Sequence, residues 1–194
     1  YEMCQKSNPD FLMVGEGCYD LQSQYYGTYT RADYWHEPVL RYIDPTVPIA
    51  CAVIDHNDLN HVNMCLADRY AMSYEVRNFK GHLGEFPRVM AYGRKVDNLR
   101  RRYADFLWNG EFLDVLGATV KGDNIRYTVF RNLKNGKKAV VVYNVDTKKA
   151  NTASVSIDGS SAPLVMASPE KPAPAKFTGA VTLGPQSAVV IMEK

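Results

Sequence analysis

The sequence predicts a mixed fold, with an α/β unit over residues 1–117 and an all-β domain over residues 118–194. Two runs, 11–14 and 49–54, are apolar at every position, which is typical of strands in a parallel sheet that is covered by helices on both faces. From Thr119 onward the pattern changes to alternating, β-branched segments separated by turns, which indicates antiparallel strands. This change of pattern predicts the boundary between the two parts near residue 118.

The composition is that of an ordinary globular protein. The chain has 194 residues, and its 23 basic and 21 acidic side chains give a formal net charge of +2 without a basic footprint for nucleic acid. The basic cluster Arg100–Arg102 is interpreted as a solvated helix face, with a phosphate-binding patch as the alternative. We find no apolar run of membrane-spanning length and no signal segment, so we expect a soluble protein; an exported precursor, periplasmic or extracellular, stays open.

The first elements can be assigned in chain order. Residues up to Asn8 predict the last turn of a helix, and the first strand is expected to stop at Gly15-Glu16-Gly17. The next segment, up to Trp35, is too rich in Tyr and Gln for a core element, so we interpret it as a functional loop with a helical turn or two. Residues 38–44 are expected to be partly extended before the second strand at 49–54.

Two helices are predicted in the rest of the α/β unit. Asp58 is the expected N-cap of a helix from about residue 59 to 74, in which apolar residues recur at helical spacing. The second helix is predicted over residues 87–108, because its first residue is proline, which helices favour in their first turn. Asn109-Gly110 is expected to end it.

The all-β domain is predicted to begin with a hairpin. Asn135-Gly136 lies between two apolar, β-branched runs, 125–130 and 139–143, and this pair of residues is a strong signal for a tight turn. Four further short strands are expected, at 153–157, 163–167, 179–183 and 187–192. Several strands at this spacing indicate a small antiparallel sandwich.

Three carboxylates follow the two predicted strands of the α/β unit: Glu16 follows the first, and Asp55 and Asp58 follow the second. In barrels and open α/β sheets, chemistry takes place beyond the carboxyl ends of the strands, so these side chains would share one edge if both strands are parallel. Paired carboxylates suit general acid/base catalysis, including glycosidic cleavage. Glu16 can equally be a loop carboxylate that accepts backbone amides, and a plain helix cap is the favoured interpretation of Asp58.

The segment after the first strand combines aromatic side chains with hydrogen-bonding ones, a mixture that suits sugars. The apolar faces of sugar rings stack on Tyr and Trp, while their hydroxyl groups need amide, carboxylate or guanidinium partners. The alternative is that the aromatic rings only pack the loop against the rest of the protein. The candidate substrate-binding residues are Tyr19, Tyr25, Tyr26, Arg31, Trp35 and His56.

No metal site or cofactor is expected. His56 and His61 lie five residues apart, which is not the spacing of a helical metal pair. A metal site formed by these two histidines and Asp58 is therefore the weaker hypothesis. A Gly-rich phosphate loop and a nucleophile elbow are also absent from the sequence. We interpret the cysteines as buried free thiols, since they show no close metal-binding spacing; they are Cys4, Cys18, Cys51 and Cys65.

Several strings of the sequence suggest a family. They are Asn8-Pro9-Asp10-Phe11-Leu12-Met13-Val14-Gly15-Glu16-Gly17, Leu40-Arg41-Tyr42-Ile43-Asp44-Pro45, Leu99-Arg100-Arg101-Arg102-Tyr103 and the turn Gly110-Glu111-Phe112. With a β domain after them, they resemble the carboxyl-terminal half of bacterial (β/α)-barrel glycoside hydrolases of α-galactosidase-like layout. The resemblance implies a partial (β/α) barrel followed by a small antiparallel β-sandwich, with Glu16 as the catalytic acid/base and Asp55 in the sugar subsite.

A complete barrel of this kind needs about 250 residues, more than precede the β domain. The resemblance therefore implies a fragment, a half-barrel that assembles with another copy or with the missing half, or a truncated domain without activity. The leading hypothesis is a glycoside hydrolase-like protein of carbohydrate metabolism that cleaves an oligosaccharide. The alternatives are a non-catalytic carbohydrate-binding or structural fragment, and a protein-interaction module formed by the tyrosines.

Overall fold

The computed structural model describes residues 2–10, 14–16, 27–30, 41–42, 45, 47–53, 58–74 and 81–194. Within these ranges the protein combines helices with a four-stranded parallel sheet and two antiparallel sheets. The strands of these ranges do not form a closed barrel. The mixed fold class is thus confirmed at this level, while the partial barrel stays a prediction.

The α/β unit begins with a short helix and contains all four parallel strands, in the order β1-β2-β3-β4. The initial helical turn, the helix cap at Asp58 and the helix start at Pro87 are confirmed. The elements are α1 (Glu2–Ser7), β1 (Val14–Glu16), β2 (Gly27–Thr30), β3 (Ile49–Ala52), α2 (Leu59–Ala67), β4 (Ala71–Ser73), a 3-10 turn (Leu83–Glu85), α3 (Pro87–Arg102) and α4 (Ala104–Leu107).

Two strands of this sheet were not expected. β2 lies inside the segment predicted to be a loop, where its β-forming residues pair with both β1 and β3. Helix α2 ends at Ala67 instead of near residue 74, because Arg69 takes up a left-handed conformation with φ of 56°. The chain then reverses, and residues 71–73 join the sheet as β4 beside β3.

Smaller differences occur elsewhere in the unit. Arg41 and Tyr42 are helical rather than extended. Tyr103 separates α3 from α4, so the helix predicted over residues 87–108 is two helices. Cys51 and Cys65 are buried and form no disulfide, as predicted, but Cys4 is only half-buried because it lies on α1, a helix without buried residues.

The remaining strands form the part that we call the β unit. The predicted hairpin is confirmed, with Gly136 in its turn at a φ of 73°, a conformation that glycine adopts without strain. Every predicted strand of this part is present, and three short strands, β5, β6 and β11, were not predicted. The strands are β5 (Glu111–Phe112), β6 (Ala118–Lys121), β7 (Ile125–Arg131), β8 (Lys138–Asn144), β9 (Asn151–Ile157), β10 (Leu164–Ala167), β11 (Ala175–Lys176), β12 (Ala180–Leu183) and β13 (Ala188–Glu193).

The two antiparallel sheets of the β unit pack face to face. One has the order β11-β10-β13-β8-β7-β5 and the other β12-β9-β6. Val140 and Val142 of β8 face the smaller sheet, whereas Val141 and Tyr143 of the same strand belong to the core shared with the helices. The larger sheet is therefore buried on both faces, which explains the uninterrupted apolar runs of β8 and β13. Strand β5 lies before residue 118 in the sequence but pairs with β7 of the β unit. The boundary between residues 117 and 118 therefore stays a prediction.

Helix α2 is the element that joins the two units. All nine of its residues are buried, so the carbonyl groups at its carboxyl end need partners inside the protein. The hydroxyl group of Thr128, on β7, donates to the carbonyl of Ala67 at 2.7 Å. Arg41 donates through Nε to the carbonyl of Asp68 at 2.9 Å and through Nη2 to that of Arg69 at 2.8 Å.

Arg100 completes this set of bonds, contrary to the prediction that Arg100–Arg102 form a solvated face. Arg100 is 1% exposed, and its guanidinium donates to the carbonyls of Tyr70, at 2.7 Å, and Cys65. The same group lies 4.6 Å from the centre of the Trp108 ring, a cation–π distance. The helical period explains the difference, because residue 100 follows the buried Val96 by four positions and so faces the core.

We expect Arg100→Met to lower the free energy of unfolding by about 2–4 kcal/mol, because it leaves two buried carbonyls without their donor. The matched control is Arg101→Met, one position along the same helix. The Arg101 side chain is 76% exposed and forms a surface ion pair with Asp97, so we expect a loss below about 1 kcal/mol. Urea unfolding of both variants measures the difference, and equal losses would contradict the role given to Arg100.

Candidate functional site

The position of Glu16 is fixed by the backbone register of the parallel sheet. Glu16 pairs with Tyr29, Tyr29 with Ala50, and Ala50 with Ala71, so these residues form one row across the four strands. The strands are parallel, as the shared-edge hypothesis requires, but β2 separates β1 from β3. Glu16 therefore ends its strand level with the second residue of β3.

The register also shows how the predicted carboxylates are related. Ala50, level with Glu16, is followed by three more described residues up to Val53, a path of about 10 Å along an extended strand. Asp55 follows Val53 in the sequence by two positions. The described end of the second strand therefore lies beyond the Glu16 row and not level with it.

Asp58 lies at the junction of the α/β unit and the β unit. It is the N-cap of α2, and its Oδ1 accepts a hydrogen bond from the backbone N–H of Asn60 at 2.8 Å. The same oxygen accepts from Nε2 of Gln186, a residue of the turn between β12 and β13. The carboxylate therefore stabilises the first turn of α2 and also connects the helix to the β unit.

A network of buried amides extends this connection. Gln186 also accepts from Arg88 at 3.0 Å through Oε1, and its backbone carbonyl accepts from Nδ2 of Asn63 at 3.0 Å. The hydroxyl group of Tyr92, on α3, donates to Oδ1 of Asn63 at 2.7 Å. Asn60 donates to the backbone carbonyl of Val145 at 2.9 Å. We call these residues, with Asp58, the junction network.

A cavity of about 430 Å³ lies beside the junction network. Its lining is mainly apolar and comes from both units, including Leu59, Tyr92, Met166, Pro169, Leu183 and Gln186. The charged pair of Lys95 and Glu170, 2.5 Å apart, connects α3 to the loop that borders the cavity. A volume of this size is in the range of small-molecule sites.

Most of the junction network has no signal in the local sequence. Asn63 and Tyr92 are single polar positions on helices, and Gln186 is held at a φ of 50° in a turn where glycine would be expected. Their contacts join residues separated by 29 and 123 positions along the chain. The one local signal was the N-cap pattern at Asp58.

The described residues include two of the three predicted catalytic carboxylates and none of the six predicted substrate-binding residues. Glu16 is located by its backbone, and Asp58 by its side-chain contacts as well. Asp55 and the sugar-binding candidates lie outside the described residues, and these candidates are Tyr19, Tyr25, Tyr26, Arg31, Trp35 and His56. Cys18 lies outside them too.

Neither a metal centre nor a membrane-spanning helix occurs in the part of the chain that the structure describes. In that part of the chain, no group of three or more His, Cys, Asp or Glu side chains is arranged to hold a metal ion. No helix there combines the length and the apolar character needed to cross a membrane.

The chain was compared with known proteins. No protein-family model matches it, and no curated protein matches it in sequence. One similar solved structure is a Paenibacillus polymyxa xyloglucanase from glycoside hydrolase family 44, with a TM-score of 0.43 and 13% sequence identity. The alignment covers 100% of this chain and 49% of the xyloglucanase chain, so this chain spans about half the length of that structure.

Two buried tyrosines, Tyr92 and Tyr143, make the free energy of unfolding dependent on pH in the alkaline range. Burial, reinforced by the negative charge of Glu170 for Tyr92 and of Asp68 for Tyr143, raises the pKa of both phenols above the ordinary value of 10. A raised pKa in the folded state means that the stability from these groups is complete below the unfolded pKa and is lost as the pH rises above about 10. We expect the free energy of unfolding to fall over this range.

Tyr92→Phe separates the two roles of this side chain. At pH 7 we expect a loss of about 1–2 kcal/mol, since Asn63 loses its donor. Above pH 10 the decline with pH should be shallower than in the parent protein, and shallower still when Tyr143→Phe is added. Denaturant unfolding at a series of pH values measures both effects, and an unchanged slope in the double variant would rule out this origin of the alkaline instability.

Proposed function

We propose that this protein is a glycoside hydrolase-like protein that cleaves glycosidic bonds in an oligosaccharide by carboxylate acid/base catalysis. Glu16 is the proposed acid/base, and Asp55 or Asp58 assists it. The observation that supports Glu16 best is its row in the sheet. This row places Glu16 at the last residue of the parallel strand β1, beside Tyr29 of β2, and in α/β proteins chemistry takes place beyond the carboxyl ends of such strands.

The chain connections refine the proposed sugar contacts. In a parallel sheet, a connection leaves the carboxyl end of one strand and returns to the amino end of the next. Tyr19 and Arg31 follow the carboxyl ends of β1 and β2 closely, whereas Tyr25 and Tyr26 come immediately before β2 begins. Tyr19 and Arg31 are therefore the contacts that we propose nearest to Glu16. The other proposed contacts after a carboxyl end are Trp35 and His56.

The proposed activity depends on assembly with further strands. A (β/α) barrel has eight strands, and the described parallel sheet has four. We propose that the remaining strands come from a longer parent chain or from a partner, which is a second copy or a separate half-barrel. The substrate partner is a carbohydrate, and no cofactor is required by carboxylate chemistry of this kind.

One observation favours a second function, a non-catalytic carbohydrate-binding or structural fragment. The Oδ1 atom of Asp58 is occupied by two donors, the backbone of Asn60 and the side chain of Gln186. A carboxylate that is used to fix a helix and a neighbouring sheet is poorly suited to exchanging protons with a substrate. If Asp55 does not assist Glu16 in its place, the carboxylate pair is incomplete and only binding remains.

Glu16→Gln in the full-length protein tests the proposed activity. We expect kcat on a chromogenic glycoside to fall by at least about 100-fold, because the variant removes general acid/base catalysis, while the thermal unfolding midpoint stays unchanged. A screen of several chromogenic glycosides identifies the substrate first. Hydrolysis that is unaffected by Glu16→Gln would exclude Glu16 as the acid/base.

Asp58→Asn and Asp55→Asn distinguish the assisting carboxylate and the second function. If Asp58 is structural, Asp58→Asn lowers the thermal unfolding midpoint and leaves kcat of the remaining folded protein unchanged. If Asp55 is catalytic, Asp55→Asn lowers kcat without changing the midpoint. Binding on a glycan array without turnover of any glycoside would favour the non-catalytic function.

A further inference from the structure

We propose that Cys51 and Cys65 form an intramolecular disulfide that ties β3 to α2 when the protein meets a low-molecular-weight disulfide of the glutathione type. This inference does not depend on the proposed function. It rests on the position of the two thiols, which come from different elements and meet inside one core.

The first step is the geometry of the pair. On β3, Cys51 shares a face with Ile49 and Val53, and all three belong to the core that also contains Cys65 of α2. Both cysteines are 0% exposed, and their side chains are hydrogen-bonded to each other. The Cys51 thiol also lies 3.6 Å from the carbonyl oxygen of Ala52. The two thiols are therefore neighbours in the core, which is the first condition for a disulfide between them.

The second step concerns when the bond can form. Burial, followed by the contact with Cys51, raises the pKa of the Cys65 thiol well above its ordinary value, so the folded protein holds it protonated and shielded from reagents. Reaction therefore takes place during folding or in a local opening that separates β3 from α2. Whether the bond is present therefore depends on the redox conditions under which the chain folds.

The third step is the chemistry. The thiolate of one cysteine attacks a sulfur atom of the glutathione disulfide, and one glutathione thiolate leaves. The second cysteine then attacks the protein sulfur of this mixed disulfide, and the other glutathione thiolate leaves. The protein loses two hydrogen atoms and two electrons, one S–S bond forms, and one glutathione disulfide becomes two glutathione molecules.

The bond would restrict a defined stretch of chain. The segment between residues 51 and 65 contains the connection from β3 to α2, including Asp55, His56 and the N-cap Asp58. A closed loop of this length restricts the unfolded chain strongly. The oxidised protein should therefore be more stable than the reduced one.

The experiment uses the full-length protein with Cys4→Ser and Cys18→Ser. These substitutions remove the other two cysteines of the sequence, so that they cannot exchange with the buried pair. The protein is unfolded, then refolded in glutathione buffers of increasing oxidised fraction. Peptide mapping without reductant is expected to show a Cys51–Cys65 linkage. The thermal midpoint of the oxidised form should exceed that of the reduced form by roughly 5–10 °C.

The matched control adds Cys65→Ala to the same background, and its midpoint should be the same in both buffers. Free thiols or single glutathione adducts after oxidising refolding would overturn the proposal, and so would a linked form with an equal or lower midpoint. If the Ser variants fail to fold, the same mapping on the unsubstituted protein decides: a Cys51–Cys65 linkage supports the proposal, and linkages that only involve Cys4 or Cys18 overturn it.

Discussion

Helix α2 lies inside the protein along its whole length, so the polar groups at both of its ends have to find partners within the fold. At the carboxyl end, the donors are Arg41, Arg100 and Thr128, which come from three separate parts of the chain. At the amino end, Asp58 caps the helix and is itself held by the β unit. A helix buried in this way forms stably only when all these elements are in place, so α2 makes the folding of the two units interdependent.

The larger antiparallel sheet depends on the same helix. Its strands β8 and β13 alternate residues between two cores, one with the smaller sheet and one with α2 and its surroundings. Without the helix, one face of this sheet would present a large apolar surface to water, which monomeric proteins avoid. The hydroxyl group of Thr128 and the amides of Asn60 and Asn63 are placed on this interface, where they fix the angle at which the sheet meets the helix.

The sequence predicted the β unit well because its signals are local. Asn135-Gly136 determines a turn, and the strands around it are long and β-branched. The α/β unit was predicted less completely. Strand β2 has only four residues, three of them polar or aromatic, and β4 starts only four residues after α2 ends, too short a distance for periodicity to separate helix from strand. Arg100 was misassigned because three consecutive arginines suggest a solvated surface. The junction network arises from contacts between distant parts of the chain, such as Asn63 with Gln186, which no local pattern contains.

The directional contacts between α2 and the β unit bear on how such a protein can be divided or recombined. Hydrogen bonds from Asn60 to Val145 and from Gln186 to Asp58 cross the border at which a designer would cut the chain. A graft of strands β5–β13 onto another protein would include only one of the two groups in each hydrogen bond. Buried amides and carbonyls would then be left without partners. The portable module is therefore larger than the strands: it includes both long helices and the segment that carries Arg41, which donates to the carbonyls after α2. In evolution, too, exchange of the β unit alone would be selected against, and the helices and strands would be inherited together.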